Sequence, residues 1–111
     1  MSATVLNSDS FKETLTNSEV PVLIDFYADW CGPCKMLGPV IDKIAEQQGG
    51  EAVVAKVDIQ ASPDLAREFQ ITSIPALMVF KNGEAVESAR GVQSEAAIEA
   101  MLDRARSAAT A

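Results

Sequence analysis

The only two cysteines in this 111-residue chain stand two residues apart, in Trp30-Cys31-Gly32-Pro33-Cys34. If a helix begins there, residues at i and i+3 share a face with their Cα atoms roughly 5 Å apart. That separation lies inside the ~4.4–6.8 Å window of a disulfide, so the pair opens and closes with little backbone movement. The helix start also aims unpaired N–H groups and a partial positive charge at the first sulfur, which favours thiolate over thiol. A thiolate with a second thiol three residues on is equipped for thiol–disulfide exchange.

Four other uses compete for such a pair. As a staple it closes a ring of about four residues, worth about 2 kcal/mol against roughly 4.7 for a ring of about 100. Structural zinc usually takes four Cys or His ligands. The chain has two Cys and no His, so only a site shared between two chains would complete that set and no metal is expected. Covalent haem attachment needs a His after the second cysteine, where Lys35 stands. Two inert buried cysteines would need a core segment, and Trp, Gly and Pro around them make a turn instead. Redox exchange is the expected chemistry.

The elements that must hold these sulfurs belong to one domain, residues 1–111, with 106–111 read as a frayed tail. Sixteen acidic against nine basic residues leave a net charge of −7, which argues against nucleic acid or an anionic membrane as partner. No run reaches the ~18–20 apolar residues of a membrane span, and residues 1–9 lack the basic and apolar regions of a secretory signal. A two-cysteine chain of this kind suits a reducing compartment, so a cytoplasmic monomer is expected, and Met1 counts against an import peptide removed ahead of it.

Hydrophobic patterning predicts alternating strands and helices. A strand near residues 4–6 precedes a helix with Phe11 and Leu15 on one face, for which Ser10 and Glu13 offer a capping box. Residues 20–27 form a continuous apolar run, as expected of a strand covered on both faces. A helix from Cys34 to Gln48 has apolar residues at 37, 40, 41, 44 and 45, stops at Gly49-Gly50, and should kink at Pro39. Residues 52–57 read as a second buried strand, and Ser62-Pro63 opens a short helix with Leu65, Ala66 and Phe69 inward. Residues 76–81, the turn Asn82-Gly83 and residues 84–90 read as a hairpin. Ser94 caps a last helix facing Ile98, Met101, Leu102 and Ala105 inward. Such an order implies an α/β fold with a mixed sheet between helices, and the cysteines follow the carboxyl end of its strongest strand.

At this point the chain closely resembles the thioredoxin family. The segments that carry the resemblance are Asp25 to Lys35 (D-F-Y-A-D-W-C-G-P-C-K), Ser73-Ile74-Pro75-Ala76, Phe80-Lys81-Asn82-Gly83, and Gly91 beyond the last strand. They span nearly all of residues 4–106 in the family's order. The resemblance implies the thioredoxin fold, a three-layer α/β/α arrangement with a central five-stranded mixed sheet and four helices. It implies a protein-disulfide reductase and electron carrier in which an exposed Cys31 attacks a substrate disulfide and Cys34 resolves the mixed disulfide. Gly32 and Pro33 tune the redox poise and admit a substrate backbone, Pro33 favouring reduction over oxidation.

No bound cofactor is implied, because the electrons reside on the two sulfurs. The implied partners are a thioredoxin reductase, drawing on NADPH through a flavoprotein or on ferredoxin, and disulfide-bearing substrates such as peroxiredoxin, methionine sulfoxide reductase and ribonucleotide reductase. An oxidase or isomerase of the same fold, and a redox-independent interaction subunit using a Trp30/Pro75 groove, are the rival functions.

Asp25, between Val22-Leu23-Ile24 and Phe26-Tyr27, is either desolvated with a raised pKa or reaches water at the strand end; the apolar neighbours favour burial. By the resemblance it takes the proton of Cys34. Lys56, isolated in its own apolar run, either faces Asp25 from the neighbouring strand or extends to solvent. The resemblance makes the Ile74-Pro75 bond cis and places it beside the cysteines, where backbone groups pair with an extended substrate segment. Trp30, Ile59, Ile74 and Val92 either rim that groove or pack in the core. Tyr27, where many family members carry Trp, and Ala76, where Thr is common, depart from the family pattern and bear on packing and substrate preference.

Overall fold

The computed structural model describes residues 3–108. Its elements are β1 (Thr4–Val5), α1 (Ser8–Asn17), β2 (Val22–Tyr27), α2 (Gly32–Gln48), β3 (Val53–Asp58), α3 (Pro63–Glu68), β4 (Ala76–Lys81), β5 (Glu84–Arg90) and α4 (Glu95–Ser107). The strands form one mixed sheet in the order β1-β3-β2-β4-β5. β1 and β2 run parallel to β3, whereas β4 is antiparallel to β2 and β5 to β4.

Strand periodicity sends alternate residues of β2 to opposite faces. Val22, Ile24 and Phe26 join Phe11, Val57, Leu65 and Phe80 in the cluster under α1 and α3. Leu23 joins Leu37, Ile41, Ile44, Leu77, Ile98 and Leu102 in the cluster under α2 and α4. Both faces are covered, which is why β2 reads as an unbroken apolar run. Each fully buried Leu, Ile or Phe contributes roughly 1.5–3 kcal/mol by leaving water. On the α1/α3 side the rings of Phe69 and Phe80 meet edge-on at 5.2 Å between centroids.

Helix ends and turns follow local chemistry. Ser94 Oγ accepts the Ala97 N–H at 3.1 Å and opens α4, whose Ile98, Met101, Leu102 and Ala105 are all buried. Asn82 and Gly83 adopt φ of 52° and 81°, the double positive φ that a two-residue hairpin turn needs to follow the twist of its strands.

Three expectations shift. The first helix is capped by Asn7, whose side chain accepts the Ser10 N–H at 2.8 Å while Ser10 Oγ accepts the Asn7 N–H at 2.9 Å. Ser10 thus closes the box from inside the helix. The second helix begins at Gly32 rather than Cys34, because Pro33 at its second position lacks only an N–H that has no helical partner anyway; it continues through Pro39 to Gln48. Arg106 and Ser107, read as part of a frayed tail, belong to α4. There the Lys81 ammonium donates to the carbonyls of Arg106 at 2.7 Å and Ala108 at 3.3 Å, tying the helix end to β4. Residues 109–111 of that tail lie outside the described residues.

Candidate functional site

Cys31 is the N-cap of α2, with extended φ and ψ of −90° and 110°. Its sulfur accepts the Cys34 N–H at 3.2 Å, taking up one of the donors that a helix start leaves unpaired. Cys31 and Cys34 are joined as a disulfide, with Cα atoms 5.2 Å apart. The seventeen residues of α2 align their peptide dipoles behind this sulfur.

Cys31 was expected to be exposed. In the disulfide it is only 4% exposed, about the same as Cys34. The physical reason is a collar of apolar residues: Ala28, Tyr27, Ile59 and Ile74 pack on the pair, and the Cys31 sulfur lies 3.9 Å from the Ile74 carbonyl oxygen. The Ile74-Pro75 bond is cis. The Pro75 carbonyl accepts the Gly91 N–H at 2.8 Å, so Gly91, in the left-handed region at φ 80°, fastens the end of β5 to the loop beside the sulfurs.

The rim residues divide. Trp30 is 65% exposed and Val92 47%, both free of the core, and Gly32 and Pro33 are exposed between the cysteines. Ile59 and Ile74 are half-buried and pack on the disulfide, and Ile59 also packs on the α1/α3 core. The structure thus brings Trp30, Gly32, Pro33, Ile59, Ile74 and Pro75 to the cysteines, with Gly91 and Val92 joined through Pro75.

Asp25 is fully buried, and neither carboxylate oxygen has a hydrogen-bond partner. Burial lifts its pKa from 3.8 to about 6; Lys56 opposes the shift and Asp42 adds to it. Along β2 it alternates with Ile24 and Phe26 and shares the face of Leu23, so its side chain lies on the α2/α4 side of the sheet, the side that carries Cys34. Register sets Lys56 of β3 on one flank and Leu77 of β4 on the other. Lys56 therefore faces Asp25 by register, yet its ammonium rests over the Tyr27 ring, 4.6 Å from the centroid.

A cavity of about 270 Å3 lined by Tyr27, Cys34, Lys35, Asp42 and Lys56 reaches this flank from outside. A second hollow, about 660 Å3, lies by α1, Phe69 and the Asn82-Gly83 turn, at the opposite end of the sheet from the cysteines. Among the described residues there is no group of three or more His, Cys, Asp or Glu arranged to hold a metal ion, and no helix is long and apolar enough to cross a membrane.

A redox-competent cysteine pair at a helix start, a buried carboxylate under the same helix and a proline loop alongside invite comparison with known proteins. The thioredoxin family model matches residues 2–104. The chain belongs to the thioredoxin family. It is 44% identical to thioredoxin of Synechocystis sp. over 94% of this chain and 98% of that protein. It is 41% identical to mitochondrial thioredoxin of Bos taurus over 90% of this chain. The chain spans 60% of the length of the mitochondrial thioredoxins it matches.

Among solved structures, a mutant thioredoxin from Halobacterium salinarum NRC-1 superimposes with a TM-score of 0.87 at 34% identity, covering 98% of this chain and 95% of the other. A chain from a study of thiol resolution in yeast mitochondrial 1-Cys peroxiredoxin via glutathione/thioredoxin systems superimposes at 0.81 with 30% identity, covering 92% and 94%. The thioredoxin fold expected from the sequence, five mixed strands between four helices, is the fold observed.

Three residues around this thioredoxin-family site, and one contact of Tyr27, escape a reading of the sequence. Met36 is 69% exposed on the first turns of α2, where helical spacing alone gives no sign of a surface role. Asp42 reaches the charge environment of Asp25 from α2 while accepting the Ala3 N–H at 3.0 Å. Arg90 donates to Thr72 Oγ1 at 3.1 Å and Ser73 Oγ at 3.4 Å, bracing the loop that carries Pro75. Tyr27 supplies the ring beneath Lys56. The first and last had signals, an apolar residue next to Cys34-Lys35 and a strand-end aromatic, but neither signal specifies a contact.

Proposed function

We propose that this chain is a protein-disulfide reductase and electron carrier whose working parts are Cys31, Cys34 and Asp25. The observation that carries the reading is the Cys31 sulfur at the N-cap of α2, bonded to Cys34 and accepting its N–H. In the reduced form that N–H and the helix start stabilise a thiolate on Cys31. The thiolate attacks one sulfur of a substrate disulfide, the substrate S–S bond breaks, and the departing thiolate takes a proton from water. Asp25 then accepts the proton of Cys34, and the Cys34 sulfur attacks the Cys31 sulfur. The mixed disulfide breaks, the second substrate sulfur leaves as a thiolate that takes a proton from water, Asp25 returns its proton to solvent, and the Cys31–Cys34 bond is restored. Two electrons pass to the substrate, and no bound cofactor takes part.

A carboxylate whose pKa is about 6 suits this duty. It is mostly ionised near neutrality and basic enough to receive a thiol proton in transit. Trp30, Val92 and the Pro75 loop form the surface on which an extended substrate segment lies. Recycling requires a reductase that passes two electrons from NADPH or ferredoxin to the Cys31–Cys34 bond. Substrates of peroxiredoxin type are supported by the family neighbour whose study concerns a 1-Cys peroxiredoxin. The working form is a monomer in the cytoplasm, a reading supported by the acidic surface and the scarcity of cysteine.

Reduction of insulin disulfides with each candidate reductase in turn tests the proposal. Turnover should depend on both cysteines, and a Cys31→Ser, Cys34→Ser protein that restores function in a thioredoxin-deficient cell would favour a binding subunit instead. A redox titration against glutathione and dithiothreitol giving a couple as oxidising as that of a disulfide isomerase would favour an oxidase.

A further inference from the structure

The geometry points to Tyr27 as a positioning residue: its ring holds the Lys56 ammonium off Asp25, leaving that carboxylate unpaired and open to the Cys34 proton. The inference deepens the function proposed above and rests on its assignment of Asp25 as proton acceptor.

Register makes the alternative explicit. Asp25 and Lys56 are direct partners across the parallel β2–β3 ladder, and neighbouring strands lie only ~4.8 Å apart. A lysine stem of four carbons spans that gap, and a buried carboxylate without a partner is costly. An ion pair is therefore the arrangement expected. Instead both Asp25 oxygens lack a partner, and the ammonium sits 4.6 Å from the centroid of Tyr27, two residues further along β2 on the same face.

The ring is a competent host. Burial and the nearby Asp58, Asp29 and Asp25 raise the Tyr27 hydroxyl pKa above its ordinary value, so the phenol stays neutral and presents its negative face to the cation. A cavity opens beside it, lined by Tyr27, Cys34, Lys35, Asp42 and Lys56. Other groups act on Asp25 from each packed element. Lys56 acts from β3 and Asp42 from α2, while Lys35 and Asp29 line the cavity beside them. β4 presents only Leu77 at this register, and α4 packs on this face through Ile98, Met101 and Leu102. Lys56 is thus the cation placed by register opposite Asp25, and where it rests sets how far it offsets the effect of burial on that carboxyl.

The test follows the Asp25 side-chain carboxyl carbon by NMR against pH in the oxidised protein, a readout that does not depend on activity. Tyr27→Ile frees the ammonium to pair with Asp25, and the midpoint should fall by at least about one pH unit, tenfold in the ionisation equilibrium. Tyr27→Phe keeps the ring face and should leave the midpoint in place. In a Lys56→Met background, Tyr27→Ile should add nothing. Tyr27→Met replaces Tyr27→Ile if the β-branched residue unfolds the strand end. An unchanged or raised midpoint in Tyr27→Ile overturns the inference, as does an equal fall in the Lys56→Met background, which would mark a structural effect. The pH profile for resolving a trapped mixed disulfide should move with the midpoint. If the midpoint moves while Asp25→Asn resolves at the wild-type rate, the proton-acceptor reading fails and the placement of Lys56 stands.

Discussion

Replacing Asp25 with Asn should stabilise the protein at neutral pH and not in acid. In the native state this carboxyl has no exposed surface and no hydrogen-bond partner, and its pKa is about 6 against 3.8 for an unburied aspartate. Between those two pH values the unfolded chain has released the proton and the native chain still holds it. The unfolded state therefore binds fewer protons, so stability falls as pH rises through this window and levels off above it. The difference of about 2.2 in pKa is worth about 3 kcal/mol near pH 7.5 and almost nothing near pH 3.5.

An Asn in the same place has no charge to bury, and its amide carries an unsatisfied-donor cost of about 1–3 kcal/mol that does not vary with pH. The informative quantity is consequently the gain of Asp25→Asn over wild type at pH 7.5 minus the same gain at pH 3.5. Guanidinium unfolding of both oxidised proteins measures it. The expected difference is about 3 kcal/mol, equivalent to a shift in Tm on the order of 10 °C. Equal gains at the two pH values would refute the reasoning, because they would mean that Asp25 ionises in the native protein as it does in the unfolded chain.

Further outcomes follow from the same geometry. Cys34→Ser should accumulate a stable mixed disulfide between Cys31 and a substrate protein, visible on a non-reducing gel, whereas Cys31→Ser should accumulate none. Leu102→Ala, at a fully buried position between α4 and the sheet, should cost about 2–5 kcal/mol in denaturant unfolding with the active-site sulfur chemistry intact. Gly83→Val places a β-branched residue at φ 81° and should destabilise the hairpin by on the order of 1–3 kcal/mol, read as a lowered Tm. Arg90→Ala removes the brace on Thr72 and Ser73; KM for a protein disulfide should rise while the rate with a small-molecule disulfide stays unchanged.

What could be read from the chain alone depended on whether a residue's own chemistry carried the structure. Asn82-Gly83 specified its turn because the positive φ values it adopts are ones these two residue types tolerate. The inward face of α4 was legible at Ile98, Met101, Leu102 and Ala105 because a 3.6-residue period has one solution there. Asp25 was legible as buried because apolar residues flank it on both sides, leaving no face of β2 in water. The cap of α1 was misplaced because Asn7 and Ser10 both offer an oxygen to a nearby N–H, and reciprocal bonds look alike from either end. Exposure of Cys31 was misjudged because its collar comes from Ile59 and Ile74, far off in sequence. The Tyr27–Lys56 contact needed the β2–β3 register, which no local pattern encodes.

These observations together show how one helix would serve both halves of the proposed exchange. The first turn of α2 meets the Cys31 sulfur with an N–H from Cys34, and the same turn buries Cys34 against the sheet face that carries Asp25. Under the proposed function, the donor that stabilises charge on one sulfur and the carboxylate that takes a proton from the other thereby both lie against a single element. Shifting β2 by one residue against its neighbours would turn Asp25 toward α1 and α3, among Phe11, Leu65 and Phe80, and away from Cys34. The parity of β2 is therefore a packing requirement and, under the proposed function, a mechanistic one. It also explains how a carboxylate that costs about 3 kcal/mol at neutral pH fits a stable fold: Leu23, Ile24 and Phe26 around it are fully buried, and at roughly 1.5–3 kcal/mol each they more than offset that cost.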